Sequence, residues 1–148
     1  MRVIVQRVKE ASCTIANKLY SNIGKGYLLL VGIGLEDDEA IVKKMALKIS
    51  KLRIFEDEAG KMNLDLKQVG GSLLSISQFT LYADCHKGNR PSFTLARKGQ
   101  EASDLYNYFN QCLREEGFEV KTGSFGAEMQ IALINDGPVT ISLEVNDG

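Results

Sequence analysis

Between Met129 and Val145 the chain reads as strand, yet Gly137-Pro138 stands in its middle. Apolar residues run through Ile131, Leu133 and Ile134 before the pair, and through Val139, Ile141, Leu143 and Val145 after it. Proline donates no ladder hydrogen bond and fixes its own φ, so the regular strand is expected to break there. An X-Pro bond also reaches the cis form at modest cost, which turns the backbone sharply and re-aims two carbonyl oxygens. Asp136-Gly137 is by itself a good turn pair, so a hairpin is one reading. A break that serves a site is the other.

The rest of the chain frames that choice. Its 148 residues suit one compact domain with a core of its own, spanning residues 1–148. Hydrophobic content of 44% and charged content of 25% are ordinary for a globular protein, and no apolar run nears the ~20 residues of a membrane span. The first residues, Met1 to Arg7, have strand character and no signal-peptide pattern, so a cytoplasmic location is expected. Cys13, Cys85 and Cys112 are odd in number and widely spaced, which fits reduced thiols better than disulfides or a zinc site.

A formal net charge of −1 gives no global support to a nucleic-acid partner. Locally the balance shifts. Lys43, Lys44, Lys48, Lys51 and Arg53 follow one another without an acid, and Lys87, Arg90, Arg97 and Lys98 face Asp84 alone. Such clusters are solvated faces or phosphate contacts, and charge alone does not choose.

Val3–Val8 and Ala11–Ile15 read as separate strands, and Gly26–Ile33 as a central strand buried on both faces. Asp37 or Asp38 is placed to cap a helix with a stripe of Ile41, Val42, Met45, Ala46, Ile49 and Leu52. Asp57–Gly60 is a turn, Ser72–Phe79 a strand, and Asp84–Ser92 a loop. A second helix is expected over Gln100–Glu116, with Gly117 as its left-handed cap. Strands around Glu119–Thr122, Met129–Asn135 and Val139–Val145 close the chain. The order of elements indicates an α+β (mixed α/β) domain, with a sheet, barrel-like at the core, and two main amphipathic helices.

Few side chains are suited to bond chemistry. His86 is the sole histidine and sits in a polar loop beside Cys85. Neighbours in extended chain point apart, which disfavours a Cys-His nucleophile there. Asp37-Asp38 and Glu115-Glu116 lie at helix ends, where capping explains them. Gly32-Ile33-Gly34 lacks the third glycine of a dinucleotide site, and no metal-ligand spacing occurs. An enzyme built this way would rely on hydroxyls, backbone amides and substrate groups. Ser77, Gln78 and Thr80 follow the apolar Leu73–Ile76 segment, where a buried strand emerges and frees its N–H groups. Strand propensity of threonine and phenylalanine is the plainer account of the same residues.

Ile76-Ser77-Gln78-Phe79-Thr80-Leu81 together with Asn135-Asp136-Gly137-Pro138-Val139-Thr140 resembles the D-aminoacyl-tRNA deacylases. Val5-Gln6-Arg7-Val8, Lys61-Met62-Asn63 and Lys87-Gly88-Asn89-Arg90-Pro91-Ser92-Phe93 extend the resemblance over the whole chain. It implies a homodimeric hydrolase, active sites at the subunit interface, that cleaves the ester joining a D-amino acid to tRNA. It also implies activity on glycyl-tRNA mischarged on the alanine tRNA, and action without metal or cofactor. Ser77, Gln78, Phe79 and Thr80 would then line the catalytic pocket. Gly137 and Pro138, with a cis peptide, would reject L-amino acids in the partner's pocket, and Arg7 would orient their loop. A noncatalytic RNA-binding or dimerisation module is the competing class, with the two basic clusters as its surface.

Overall fold

The computed structural model describes residues 1–148. Its first strand, β1 (Arg2–Ile15), is longer than expected, running unbroken through the exposed Lys9 and Glu10. Its pairing register shifts at this point, between Val8 and Glu10. An irregularity of that kind bends a strand without ending it. Before the bend β1 pairs with β3 (Gly26–Gly32), and after it with β2 (Lys18–Ile23), both antiparallel. The β1–β2 connection turns through Ala16 and Asn17, both at positive φ (51° and 64°), the sense that two-residue hairpins require. Sequence reading gave no β2. Its residues are mostly polar and exposed, so no apolar period marks it.

β3 is central, buried along nearly its whole length as expected. Its other neighbour is β6 (Ser72–Ser77), parallel, which in turn pairs in parallel with β7 (Val120–Thr122). The expected strand over Ser72–Phe79 therefore stops at Ser77, and Phe79–Tyr82 form a 3-10 turn instead. Short strands β4 (Phe55–Glu56) and β5 (Met62–Leu64) make a separate ribbon around the Asp57–Gly60 turn.

The expected pair of strands around Gly137-Pro138 is one strand, β8 (Gln130–Glu144). Both halves pair with β1, with Asn135 opposite Val8 and Thr140 opposite Gln6. Four residues, Asp136 to Val139, therefore loop out opposite Arg7. Two halves that share one neighbour cannot be the arms of a hairpin, so that reading is excluded. The Gly137-Pro138 peptide is cis, as expected.

Sheet curvature brings β2 back to β7, where Ser21 Oγ donates to the Thr122 carbonyl at 2.8 Å. A small core fills the resulting barrel-like space: Val8, Ala11, Cys13, Ile23, Leu28, Leu74 and Ile76. The other face carries the larger core, with Val3, Val5, Tyr27, Leu29, Val31 and Leu73 beneath two helices. Those helices are α1 (Glu39–Ser50), which buries Ile41, Val42, Met45, Ala46 and Ile49 of the expected stripe, and α2 (Gly99–Glu115), which buries Ala102, Tyr106, Phe109, Cys112 and Leu113 along one face at period 3.6. Gly117 ends α2 at φ 96°. None of the helices is long and apolar enough to cross a membrane.

Of the two candidate caps for α1, Asp38 accepts from Ile41 N at 2.9 Å. Asp37 is buried and does different work. One carboxylate oxygen accepts from the Met1 ammonium at 2.7 Å, the other from Gly34 N at 2.6 Å. It thereby ties the start of β1 to the exit of β3.

Candidate active site

Chemistry-bearing residues begin where β6 ends. Gln78 N donates to Val31 O at 2.7 Å, extending the β3–β6 ladder by one bond. Gln78 then leaves the strand (φ −145°, ψ 83°) and the 3-10 turn begins. Leu81 N donates to Gln78 O and Ala83 N to Thr80 O. No turn or loop hydrogen bond engages the Phe79 or Thr80 N–H, the expected state of donors in a first helical turn. Gln78 Nε2 donates to Thr80 Oγ1, and the Phe79 ring, half exposed, meets Phe93 edge-on at 5.1 Å.

Residues that hold this turn were not legible in the sequence. A Cβ on Gly32 would lie 3.1 Å from Leu81 Cβ, and one on Gly34 would lie 2.8 Å from the Tyr82 ring. Glycine at both positions lets the turn sit against the end of β3. From β1, Arg2 donates to Leu81 O at 2.9 Å and lays its guanidinium 4.5 Å from the Tyr82 ring centre. Arginine beside an aromatic face is attractive by its charge as well as its area.

A cavity of about 260 Å³ opens beside Ser77, Gln78 and Phe79, walled by Ile76, Phe125, Gly126, Ala127, Met129 and Ile131. The Phe125–Met129 wall was missed as well. Its residues lie between β7 and β8 with no period to mark them, and only a phenylalanine in a glycine-containing loop hints at a use. Gly123 makes room for the wall, since a Cβ there would lie 2.4 Å from Met129 Sδ. The cavity is thus largely apolar, with Ser77, Gln78 and Phe79 along one edge.

Arg7 and the Gly137-Pro138 loop form a second constellation. Arg7 is buried; its Nε donates to Asp136 O at 2.9 Å and its Nη1 to Ile54 O at 2.7 Å. Asn135 clips the loop from inside: its Oδ1 accepts from Val139 N at 2.8 Å, and its Nδ2 donates to Thr140 Oγ1 at 2.9 Å. Gly137 has φ 135°, and a Cβ there would lie 2.7 Å from Val139 Cγ2 and 3.0 Å from Arg7 Nη2. Any side chain would strike the group that holds the loop. Gly137 and Pro138 are exposed at the tip.

These two constellations do not meet within one chain. Register along β3 puts Tyr27 beside Arg7 and Val31 beside Ser77, an offset of roughly 13 Å at ~3.3 Å per residue. Strands β1 and β3 also stand between β8 and β6. The space around Gly137 is lined by Arg7, Lys25, Phe55, Glu56, Val69 and Asp136, none of which borders the Phe79 cavity.

His86 and Cys85 are exposed in their loop and line neither space. His86 Nδ1 lies 2.7 Å from Asp84 Oδ1, and the His86 backbone N–H also donates to that oxygen. These hydrogen bonds hold the Asp84 carboxyl below its usual range. Burial pushes the Tyr82 hydroxyl well above its ordinary range and raises that of Tyr106. The one side-chain hydrogen bond at Ser77–Thr80 joins Gln78 to Thr80, neither of which titrates.

Similarities to known proteins converge on one family. Residues 4–144 match the family model for D-Tyr-tRNA(Tyr) deacylase. The D-aminoacyl-tRNA deacylase of Staphylococcus carnosus is 55% identical over 148 residues, covering 100% of this chain and 98% of the relative. That of Thermomicrobium roseum is 57% identical over 144 residues, or 97% and 94% of the two chains. The solved structure of the c-Myc DNA Unwinding Element Binding Protein superposes with a TM-score of 0.91 at 43% identity, over 97% of this chain and 98% of that one. A probable eukaryotic D-amino acid tRNA deacylase shares the fold at TM-score 0.83 and 16% identity, over 96% and 97% of the chains.

Proposed function

This chain belongs to the D-aminoacyl-tRNA deacylases, hydrolases of aminoacyl-tRNA esters, and we propose that its own residues carry the reaction through backbone amides in a shared site. The supporting observation is the exit of β6 into the 3-10 turn at Phe79, where the Phe79 and Thr80 N–H groups enter no turn or loop hydrogen bond, beside a largely apolar cavity lined by Ser77, Gln78 and Phe79. In this reading the terminal adenosine of tRNA packs against the Phe125 and Met129 wall, which sets the ester beside Phe79 and Thr80. Such placement supplies much of the rate by effective molarity. Water adds to the ester carbonyl, assisted by the neighbouring 2′-hydroxyl of the ribose. The two amides stabilise the tetrahedral oxyanion, at roughly 3 kcal/mol per good donor. Collapse breaks the bond to the ribose oxygen, which takes a proton as the D-amino acid leaves.

Chirality then needs a second element. Gly137 and Pro138 of a partner subunit would enter the cavity, their carbonyl oxygens occupying the space an L side chain requires. The geometry of one chain supports a homodimer, since its loop tip is exposed and distant from its own cavity. Glycine has no side chain to exclude, so glycyl-tRNA would be cleaved too. Selection by exclusion leaves the D side chain unread, which makes the substrate range broad. The cytoplasm, where charged tRNA resides, is the matching compartment.

Incubation with D-tyrosyl-tRNA and L-tyrosyl-tRNA tests the whole reading. Faster release from the D ester is expected. Binding of both without release of either amino acid would leave an RNA-binding module instead.

A covalent route through Thr80 Oγ1 is the second mechanism. Its hydroxyl is hydrogen-bonded to the Gln78 amide, a group that cannot take its proton. The amide route is therefore preferred.

A further inference from the structure

Four basic side chains, Lys44, Lys48, Lys51 and Arg53, share an open groove of about 500 Å³ with Leu47 and Leu52. It runs along the C-terminal half of α1 and past its end. No acid lines it. Lys44 alone has an acidic partner, Asp147 at 3.4 Å on an exposed tail. Arg53 is oriented by Asn63, donating to its backbone carbonyl at 2.8 Å and to its side-chain oxygen, both neutral. Its charge is therefore fixed in place and left uncompensated. Lys48 and Lys51 complement the negative end of the helix dipole, but Lys44 lies too far from that end for the same account.

Arg97, from the second basic cluster, contrasts with these side chains. Arg97 spends its guanidinium on the carbonyls of Gly34, Leu35 and Asp37 and on Glu101 at 2.6 Å. That side chain is structural, holding the β3–α1 connection. The groove on α1 has no such internal use.

We propose that this groove binds the phosphodiester backbone of the tRNA substrate, away from the 3′ terminus. The inference rests on the deacylase reading, which supplies a polyanion. Position supports it as well. Arg53 is followed by Ile54, whose carbonyl accepts from Arg7, and Arg7 in turn holds Asp136. The Arg53 end of the groove thus continues directly into the segment that braces the Gly137-Pro138 loop, so groove and loop are held by one stretch of chain. Half-buried Leu47 and Leu52 give lysine stems an apolar bed while the ammonium heads stay in water.

The test is the triple variant Lys44→Glu/Lys48→Glu/Lys51→Glu, with the milder Lys48→Gln/Lys51→Gln as a second variant. All these positions are exposed, so folding is expected to survive. Kinetics are compared on full-length D-tyrosyl-tRNA and on 3′-(D-tyrosyl)-adenosine, which has no helix. On the tRNA, the triple variant is expected to raise KM about tenfold or more with kcat kept. The slope of log(kcat/KM) against log salt should flatten by about two to three, near one phosphate per lysine. On the adenosine ester nothing should change, and the glutamine variant should fall between. Filter retention of uncharged tRNA should show the same loss of affinity, which tests the groove even if no ester is cleaved. Unchanged KM, salt slope and tRNA retention would overturn the proposal, as would an equal loss on both esters. Wild-type protein that retains tRNA through these lysines but cleaves neither ester would sink the deacylase reading and leave the groove standing.

Discussion

Thr80, one residue beyond the cavity-lining Phe79, carries both an amide and a hydroxyl, and the proposed chemistry uses only the amide. Thr80→Val removes the hydroxyl and keeps the backbone, so kcat should stay within about fivefold of wild type. A loss near the ~10⁴-fold or greater seen when a nucleophile is removed, with an acyl-Thr80 adduct trapped by mass spectrometry, would reverse the assignment. His86 and Asp84 lie in a loop away from the cavity, so His86→Asn should give a pH profile of kcat/KM that overlays wild type. A profile that lost its limb would make His86 the base after all. Gly137 is constrained more tightly than sequence suggests. Gly137→Ala places a Cβ against Val139 and Arg7 at a φ that L residues avoid. A loss of about 1–3 kcal/mol is expected in urea unfolding. Unchanged stability would mean that the loop relaxes freely and that Arg7 does not fix it.

At the scale of elements, legibility followed periodicity. The helices were readable because Ile41, Val42, Met45 and Ile49, like Ala102, Tyr106, Phe109 and Leu113, repeat on one face. β3 was readable because burial on both faces leaves an apolar run. β2 was not, since its outward residues share no period, and its turn uses Ala16 where asparagine or glycine would have announced it. One edge of the cavity was legible, namely Ser77, Gln78 and Phe79 at the end of an apolar strand. Its other wall, Phe125–Met129, depends on how β7 turns into β8, which no local pattern encodes. The most instructive miss is β8. Proline argued for two strands, but one missing donor ends only one bond, and β1 holds both halves while Asp136–Val139 bulge outward. Arg7 is the strut of that bulge, with two directed donors on two carbonyls. Lysine cannot reproduce that fork. Arg7→Lys should therefore raise L-ester cleavage relative to D at least several-fold while kcat for the D ester changes little. An unaltered D/L ratio would free Arg7 of any part in chirality.

At the scale of the molecule, one chain carries an apolar cavity at one end of its sheet and an exposed, braced loop at the other. Phe79, Leu95, Leu19 and Ile134 are large apolar side chains left about half exposed or more, surface that a partner subunit could cover. The proposed two-fold dimer would account for both facts, because an isologous contact exchanges the same features in both directions. Mixing subunits distinguishes this from a site within one chain. Ala127→Trp fills the cavity wall and is expected to abolish cleavage while leaving the loop sound. Arg7→Lys leaves the cavity sound and loosens the loop. If sites are shared, a hybrid dimer pairs the intact cavity of the Arg7→Lys subunit with the intact loop of the Ala127→Trp subunit. Adding excess Ala127→Trp protein, followed by subunit exchange, should then lower L-ester release per Arg7→Lys subunit toward the wild-type level. D-ester release per Arg7→Lys subunit should hold steady. If each chain served its own cavity, the loosened loop would stay with its own site, and L-ester release would not respond to the added subunits at all.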